Sequence, residues 1–170
     1  MSRVIRFDRR TVLRGGLVAG AAFAGVGALG VTGCSTGPSE ETLTAERLVP
    51  LARAALTDEK SARALAATEP TYSSALRVVA DQRAEHARAL REEIIRLDQE
   101  VAATIDDTPA PGSQAAPAEP AAPSLVGLRS ALEQSAGEAR DVAVSLKGYP
   151  AGLVGSVAAS VRSMREVQLA

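Results

Sequence analysis

The sequence predicts an all-α fold, a four-helix bundle, for residues 43–170. Apolar residues recur there in alternating steps of three and four over four stretches, which is the spacing of helices that bury one face. Prolines and glycines separate the stretches. Because aromatic residues make up only 2% of the chain, we expect a core built from Ala, Leu, Val and Ile.

The first predicted helix spans about 43–68. Its inner face is apolar apart from one carboxylate and comprises Leu48, Leu51, Ala55, Asp58, Ala62 and Leu65. Glu69-Pro70 ends the helix, since a residue before proline avoids the helical conformation. Pro50 is costly inside a helix, so we expect a kinked or separate first turn, with the regular helix starting at Val49.

The second predicted helix is one continuous element of about 33 residues, from about residue 73 to residue 105, roughly 50 Å long. Its inner face comprises Leu76, Val79, Arg83, His86, Leu90, Ile94, Leu97 and Val101. The charged residues Arg88, Arg91, Glu92, Arg96 and Glu100 are expected to form a solvated outer face.

Residues 106–123 contain five prolines and are predicted to be a loop. At the rise of polyproline they reach roughly 55 Å, enough for a crossover along the whole bundle, although a simple up-down connection stays open. A third helix is expected over 125–146 with Gly148 at its end, and a fourth from Pro150. The inner face of the fourth comprises Leu153, Val157, Ser160, Met164 and Val167.

The first 33 residues have the features of an export signal. Arg9 and Arg10 open the run Arg-Arg-Thr-Val-Leu-Arg, which resembles a twin-arginine signal and precedes the uncharged stretch 15–33. Val31-Thr32-Gly33-Cys34 resembles a lipobox, whose cysteine receives a diacylglycerol group and becomes the first mature residue. An uncleaved N-terminal anchor is the alternative.

This interpretation predicts a protein tethered to the extracytoplasmic face of the cell membrane. Residues 34–42 would be the lipidated Cys34 and a flexible spacer, followed by the helical domain over 43–170. Two or more acyl chains, palmitate among them, hold a protein firmly, whereas one binds reversibly. The membrane, through the lipid, is the predicted partner, and any protein partner is left open.

Composition excludes some functions. Without residues 1–33, which hold five arginines and Asp8, the chain keeps 14 basic and 19 acidic side chains. An acidic chain without a clustered basic face gives no electrostatic footprint for nucleic acid. Cys34 is the sole cysteine, so no internal disulfide is expected.

Polar residues on the inner faces are the candidate site. Asp58 lies twelve residues before the turn near residue 70, and Gln82 lies twelve residues after it. In antiparallel helices these positions are level, and Arg83 and His86 lie within one helical turn of that level. We therefore predict a buried polar cluster of Asp58, Gln82, Arg83 and His86, because a buried charge needs a partner. Ser135 and Ser160 interrupt the inner faces of the other two helices.

The segment Ala80-Asp81-Gln82-Arg83-Ala84-Glu85-His86-Ala87-Arg88-Ala89-Leu90, after a twin-arginine lipoprotein signal and an Ala/Leu-rich helix, resembles the actinobacterial ferritin-like domain family of unknown function. The resemblance covers most of 43–169. It implies a ferritin-like fold, in which two helix pairs are joined by a long crossover.

The resemblance does not extend to a di-iron site. Such sites take a Glu from each of two helices and a Glu-x-x-His from each of the other two. Here His86 is the single histidine, with Arg83 three residues before it, and Arg165 takes the corresponding place in the fourth helix. We expect no metal or other cofactor. A mononuclear site of His86 and Asp58, with or without Glu85, is the alternative, although Glu85 points about 100° away from His86.

The sequence does not predict an enzyme. It has no Gly-x-Ser-x-Gly elbow, no second histidine and no glycine-rich phosphate loop. We predict an envelope lipoprotein whose helical domain is a structural or interaction module. The alternatives are an atypical metalloprotein and a binder of small apolar ligands or lipids, which a large continuous apolar cavity would favour.

Overall fold

The computed structural model describes residues 37–107 and 123–170, and every secondary-structure element in those ranges is helical. The all-α prediction is confirmed. The export motif, Cys34 and most of the proline-rich segment lie outside the described residues. The five α-helices of the described part are α1 Glu40–Thr68, α2 Ser73–Leu97, α3 Gln99–Ala103, α4 Leu125–Ser145 and α5 Gly148–Ser163.

Helix α1 is longer than predicted and runs through Pro50 without a break. Ser39 caps its start, accepting a hydrogen bond of 3.0 Å from the backbone N–H of Thr42. The expected start at Val49 is wrong. Pro50 is exposed while Leu48, Val49 and Leu51 are buried, so packing on the inner face outweighs the missing backbone hydrogen bond.

The second helix is not continuous, because Asp98 ends α2 in an extended conformation. Its carboxylate accepts hydrogen bonds from the backbone N–H groups of Glu100 and Val101, at 2.9 and 3.1 Å, and so caps the one-turn helix α3. It also accepts a bond of 2.8 Å from the Thr42 hydroxyl of α1. An aspartate that caps a new helix competes with continuation of the old one. The expected helix of about 33 residues is therefore wrong.

The fourth predicted helix also differs from expectation. Helix α5 begins at Gly148, whose φ of 64° suits glycine, rather than at Pro150. A π-helical turn, Met164–Gln168, follows α5. It adds one residue to the turn, so Leu169 is buried while Val167, expected on the inner face, is exposed.

Contacts fix the direction of each long helix. A short 3-10 turn, Pro70–Tyr72, reverses the chain between α1 and α2. Helix α4 starts near this turn, where the Arg129 guanidinium lies 5.6 Å from the Tyr72 ring centre. It ends near the start of α1, where Glu40 and Lys147 line one groove. Helices α2 and α4 therefore run in the same direction, between a Tyr72 end and a Glu40 end of the domain.

The core consists of two apolar clusters. The cluster toward the Glu40 end contains Leu48, Leu51, Leu90, Ile94, Ala139 and Val154. The cluster toward the Tyr72 end contains Leu65, Leu76, Val79, Leu132, Val161 and Leu169. A layer of buried polar side chains separates them. Among the described helices, none is both long and apolar enough to cross a membrane.

Candidate functional site

Three helices contribute one side chain each to the polar layer between the two clusters. Asp58 of α1, Arg83 of α2 and Ser135 of α4 are between 1% and 7% exposed. The Arg83 Nη2 lies 2.8 Å from the Asp58 Oδ2. The Ser135 hydroxyl donates to the same Oδ2 at 3.1 Å. Asp58 is therefore the centre of the layer and joins α1 to both neighbouring helices.

Helical spacing explains this convergence. Asp58 lies between Ala55 and Ala62 on the buried face of α1, and Arg83 lies between Val79 and Ala87 on that of α2. Each charge therefore points inward together with its apolar neighbours. The structure places Asp58 and Arg83 in contact, at the level that antiparallel counting from the turn predicts.

Burial opposes the charged forms of this pair. It raises the pKa of Asp58, against the opposing effects of the Arg83 charge and the Ser135 and Arg83 hydrogen bonds. It also lowers the pKa of Arg83, against the attraction of Asp58. The Arg83 Nε is buried and has no hydrogen-bond partner among the described residues. The layer thus costs desolvation energy that only an intact ion pair offsets.

Among the contacts of the described residues, His86 joins the layer through Arg83. Its Nδ1 lies 3.4 Å from the Arg83 Nη1, and its side chain is half-buried. Burial and the neighbouring Arg83 charge lower the pKa of His86 to about 4, although Glu85 acts in the opposite direction. At neutral pH the ring is therefore uncharged, and we assign Nδ1 as the acceptor of the Arg83 N–H.

The arrangement does not resemble a metal centre. Arg83 contacts both Asp58 and His86, so a guanidinium cation occupies the position between the two potential ligands. Glu85 is exposed and pairs with Arg88 at 2.6 Å. Within 37–107 and 123–170, no three His, Cys, Asp or Glu side chains are grouped to hold a metal ion.

One predicted member of the cluster lies elsewhere, as does a serine that was expected on an inner face. Gln82 is exposed, so its inclusion in the buried cluster is wrong: on α2 it is adjacent to Arg83 and therefore points about 100° away from the inner face. Ser160 is half-buried, and the described contacts do not link it to the layer. Ser135 takes the place that Gln82 was expected to have.

A second buried carboxylate, Glu93 of α2, was not predicted from the sequence. Glu93 is 3% exposed, whereas its partner Arg96 has a side chain that is 60% exposed. Two hydrogen bonds of 2.7 and 2.8 Å join them. Glu93 follows the buried Leu90 by three residues, which is the signal that could have identified it. Both residues line a groove that also includes Tyr149.

A groove between α4 and α5 has a volume of about 550 Å³. Its floor is made of small residues: Ala136, Gly137, Gly155, Ala158 and Ala159. Charged residues form its rim, where Arg165 pairs with Glu133 and Arg162 pairs with Glu166, both at 2.9 Å. A groove with a charged rim differs from the continuous apolar cavity expected of a lipid or small-ligand binder.

No protein-family model matches this sequence, and searches of curated proteins and of solved structures find no match either.

Proposed function

We propose that this chain is an exported, lipid-anchored envelope protein whose ferritin-like helical domain is a non-catalytic structural or interaction module. The ferritin-like part of this proposal rests on the resemblance of residues 80–90 to the actinobacterial ferritin-like domain family. The non-catalytic part rests on one observation, the closure of the polar layer to solvent. Asp58 is paired with both Arg83 and Ser135, and all three side chains are buried.

That closure supports a structural role because a catalytic group has to reach its substrate. General acid–base and nucleophilic catalysis require a group within hydrogen-bond distance of the reacting atom. Asp58 and Arg83 instead bind each other between two apolar clusters. His86, the remaining titratable member, has its Nδ1 directed toward Arg83. The polar layer holds the three helices in register, a recognised role for buried polar groups.

Helix direction supports the ferritin-like connectivity. Asp107 is the last described residue before the proline-rich segment. Its carbonyl accepts a hydrogen bond of 3.2 Å from Arg53, so it lies beside the middle of α1. Helix α4 starts near Tyr72, at the far end of the domain. The segment between these points therefore joins two levels of the domain, and α2 and α4 run in the same direction. This is the pattern of two helix pairs joined by a crossover.

The lipid anchor rests on the order of features at the N-terminus. Arginines precede the uncharged stretch 15–33, Cys34 follows two small residues, and α1 begins at Glu40. The order places the positive charges on the cytoplasmic side. Cys34→Ser should therefore release the protein from membrane fractions or leave it unprocessed, and should abolish palmitate labelling. Unchanged processing and labelling would contradict the anchor.

The export route has its own test. Replacing both Arg9 and Arg10 with lysine keeps the positive charge but removes the paired guanidinium groups. Translocation of the double variant should stop, as followed by the appearance of processed protein in the membrane fraction. Normal export of the variant would show that the general secretory route is sufficient.

A metal analysis separates this proposal from the atypical metalloprotein. Protein purified as the mature chain should contain no stoichiometric iron or zinc, and added metal should leave its melting temperature unchanged. A rise in melting temperature with metal that His86→Ala abolishes would overturn the non-metal role.

A further inference from the structure

Exposed apolar side chains lie at the Glu40 end of the helical domain. Leu43 is in the first turn of α1, Val144 in the last turn of α4 and Tyr149 in the first turn of α5. Val144 is 79% exposed and Tyr149 is 67% exposed. Leu43 lines a groove of about 390 Å³ together with Leu146, which follows α4, and Pro150 in the first turn of α5. This end therefore presents apolar surface from three helices.

The chain that precedes the domain enters at this same end. Five residue steps separate Cys34 from Ser39, the cap of α1, and a fully extended chain covers at most about 18 Å over that length. The 29 residues of α1 extend about 43 Å. A lipid on Cys34 would thus hold the Glu40 end close to the bilayer, while the Tyr72 end can lie some 40 Å away.

We infer that the Glu40 end is a membrane-contact surface, on which Leu43, Val144 and Tyr149 rest against the lipid headgroup region. The inference depends on the proposed anchor at Cys34. A tyrosine suits this position because its ring is apolar and its hydroxyl is polar, the combination found at membrane interfaces. The domain then stands upright on the membrane and presents its Tyr72 end to the outside.

Charge identifies the type of membrane surface. The groove at this end includes two acidic side chains, Glu40 and Glu41, and two basic ones, Arg47 and Lys147. These four charges balance, and Asp98, bonded to Thr42 at the same end, adds a negative charge, so a negative surface would not attract this end. Contact through apolar side chains is therefore expected on zwitterionic phosphatidylcholine and is expected to depend little on salt.

Two tyrosines at opposite ends make the orientation measurable. Residues 36–170 form a compact unit that contains both apolar clusters, so the chain 34–170 is suitable for study. Its only aromatic residues are Tyr72 and Tyr149, and its single thiol, Cys34, can be coupled to a maleimide lipid in phosphatidylcholine vesicles. Tyr72→Phe and Tyr149→Phe each leave one fluorescent tyrosine, which nitroxide-labelled lipid quenches on contact.

We expect nitroxide lipid to quench Tyr149 and to leave Tyr72 nearly unchanged, at both low and high salt. Equal quenching of both would show that the domain lies on its side. Absence of Tyr149 quenching would show that this end does not contact the lipid and is free to bind another protein. Either result overturns the inference.

A matched pair of variants tests the surface itself. Leu43→Ser with Val144→Ser should reduce Tyr149 quenching. Val126→Ser with Val167→Ser removes exposed valines at the Tyr72 end, 75% and 69% exposed, and should leave it unchanged. Equal effects of the two pairs would contradict the inference. Because chemical coupling replaces the biological lipid, this result is independent of palmitate labelling in cells, which tests the anchor alone.

Discussion

Two buried carboxylates on neighbouring parts of the helical domain have different partners. Asp58 and Glu93 are equally buried, at 3% exposure. Asp58 bonds to Arg83 and Ser135, which come from two other helices and are themselves buried. Glu93 bonds to Arg96, which lies one turn further along the same helix and is largely in water.

From this difference we expect the free-energy cost of breaking an ion pair to depend on the burial of both partners and not of one group alone. Removing Asp58 leaves Arg83 charged in an apolar interior, and an unpaired buried charge is strongly destabilising. Removing Glu93 leaves Arg96 hydrated. The Asp58 contact also joins three helices, whereas the Glu93 contact is local to α2. We therefore expect the polar layer to determine helix register and the Glu93 pair to contribute little to it.

The largest effect is expected at Asp58. Asp58→Ala should destabilise the domain by about 3 kcal/mol, because Arg83 then remains buried without its partner. The double variant Asp58→Ala, Arg83→Met should recover much of this loss, since it removes both charges. Denaturant unfolding monitored by circular dichroism measures each free energy of unfolding. Losses that add in the double variant would show that the two side chains are not coupled.

A smaller effect is expected on acidification, through His86. The pKa of His86 in the folded protein is about 4, below its ordinary value near 6.5, so the unfolded chain binds the proton more readily. The associated stability is present above pH 6.5 and is lost as the pH falls toward 4. The full shift corresponds to about 3 kcal/mol, and solvent screening of the half-buried ring reduces it. We therefore expect a loss of about 2 kcal/mol over this window, measured as the free energy of unfolding against pH.

His86→Gln is the control for this dependence, because it keeps a polar side chain next to Arg83 but cannot titrate. The variant should show a smaller loss between pH 6.5 and pH 4 than the unchanged protein. The same slope in both proteins would assign the acid sensitivity to other groups.

The smallest effect is expected at Glu93. Glu93→Gln and Asp58→Asn make the same chemical change at two equally buried carboxylates, so their difference measures the contribution of the partner. Glu93→Gln should lower the unfolding midpoint less than Asp58→Asn does, since Arg96 remains in water. An equal or larger loss for Glu93→Gln would show that burial of the carboxylate, and not of its partner, sets the cost.

Periodicity predicted the parts of the fold and site that depend on one helix at a time. The inward positions of Asp58, Arg83 and Ser135 follow from their apolar neighbours at steps of three and four. The level of Asp58 opposite Arg83 follows from counting residues on either side of the turn. Periodicity failed at Glu93, which resembles its charged neighbours in sequence but lies at the flank of the buried face. Counting levels from the turn failed at Gln82, because it ignores the angle on the helix that leaves this residue exposed.

The sequence by itself determined the all-helical fold, the inner faces of α1, α2 and α4, and the presence of charges on those faces, because hydrophobic periodicity is a local property of the chain. Only the tertiary structure decided where helices continue and where they break. Packing carries α1 through Pro50, and a hydrogen bond from Thr42 of α1 fixes Asp98 as the end of α2. Tertiary packing also decided which carboxylate has a buried partner, since that depends on contacts between residues far apart in the chain.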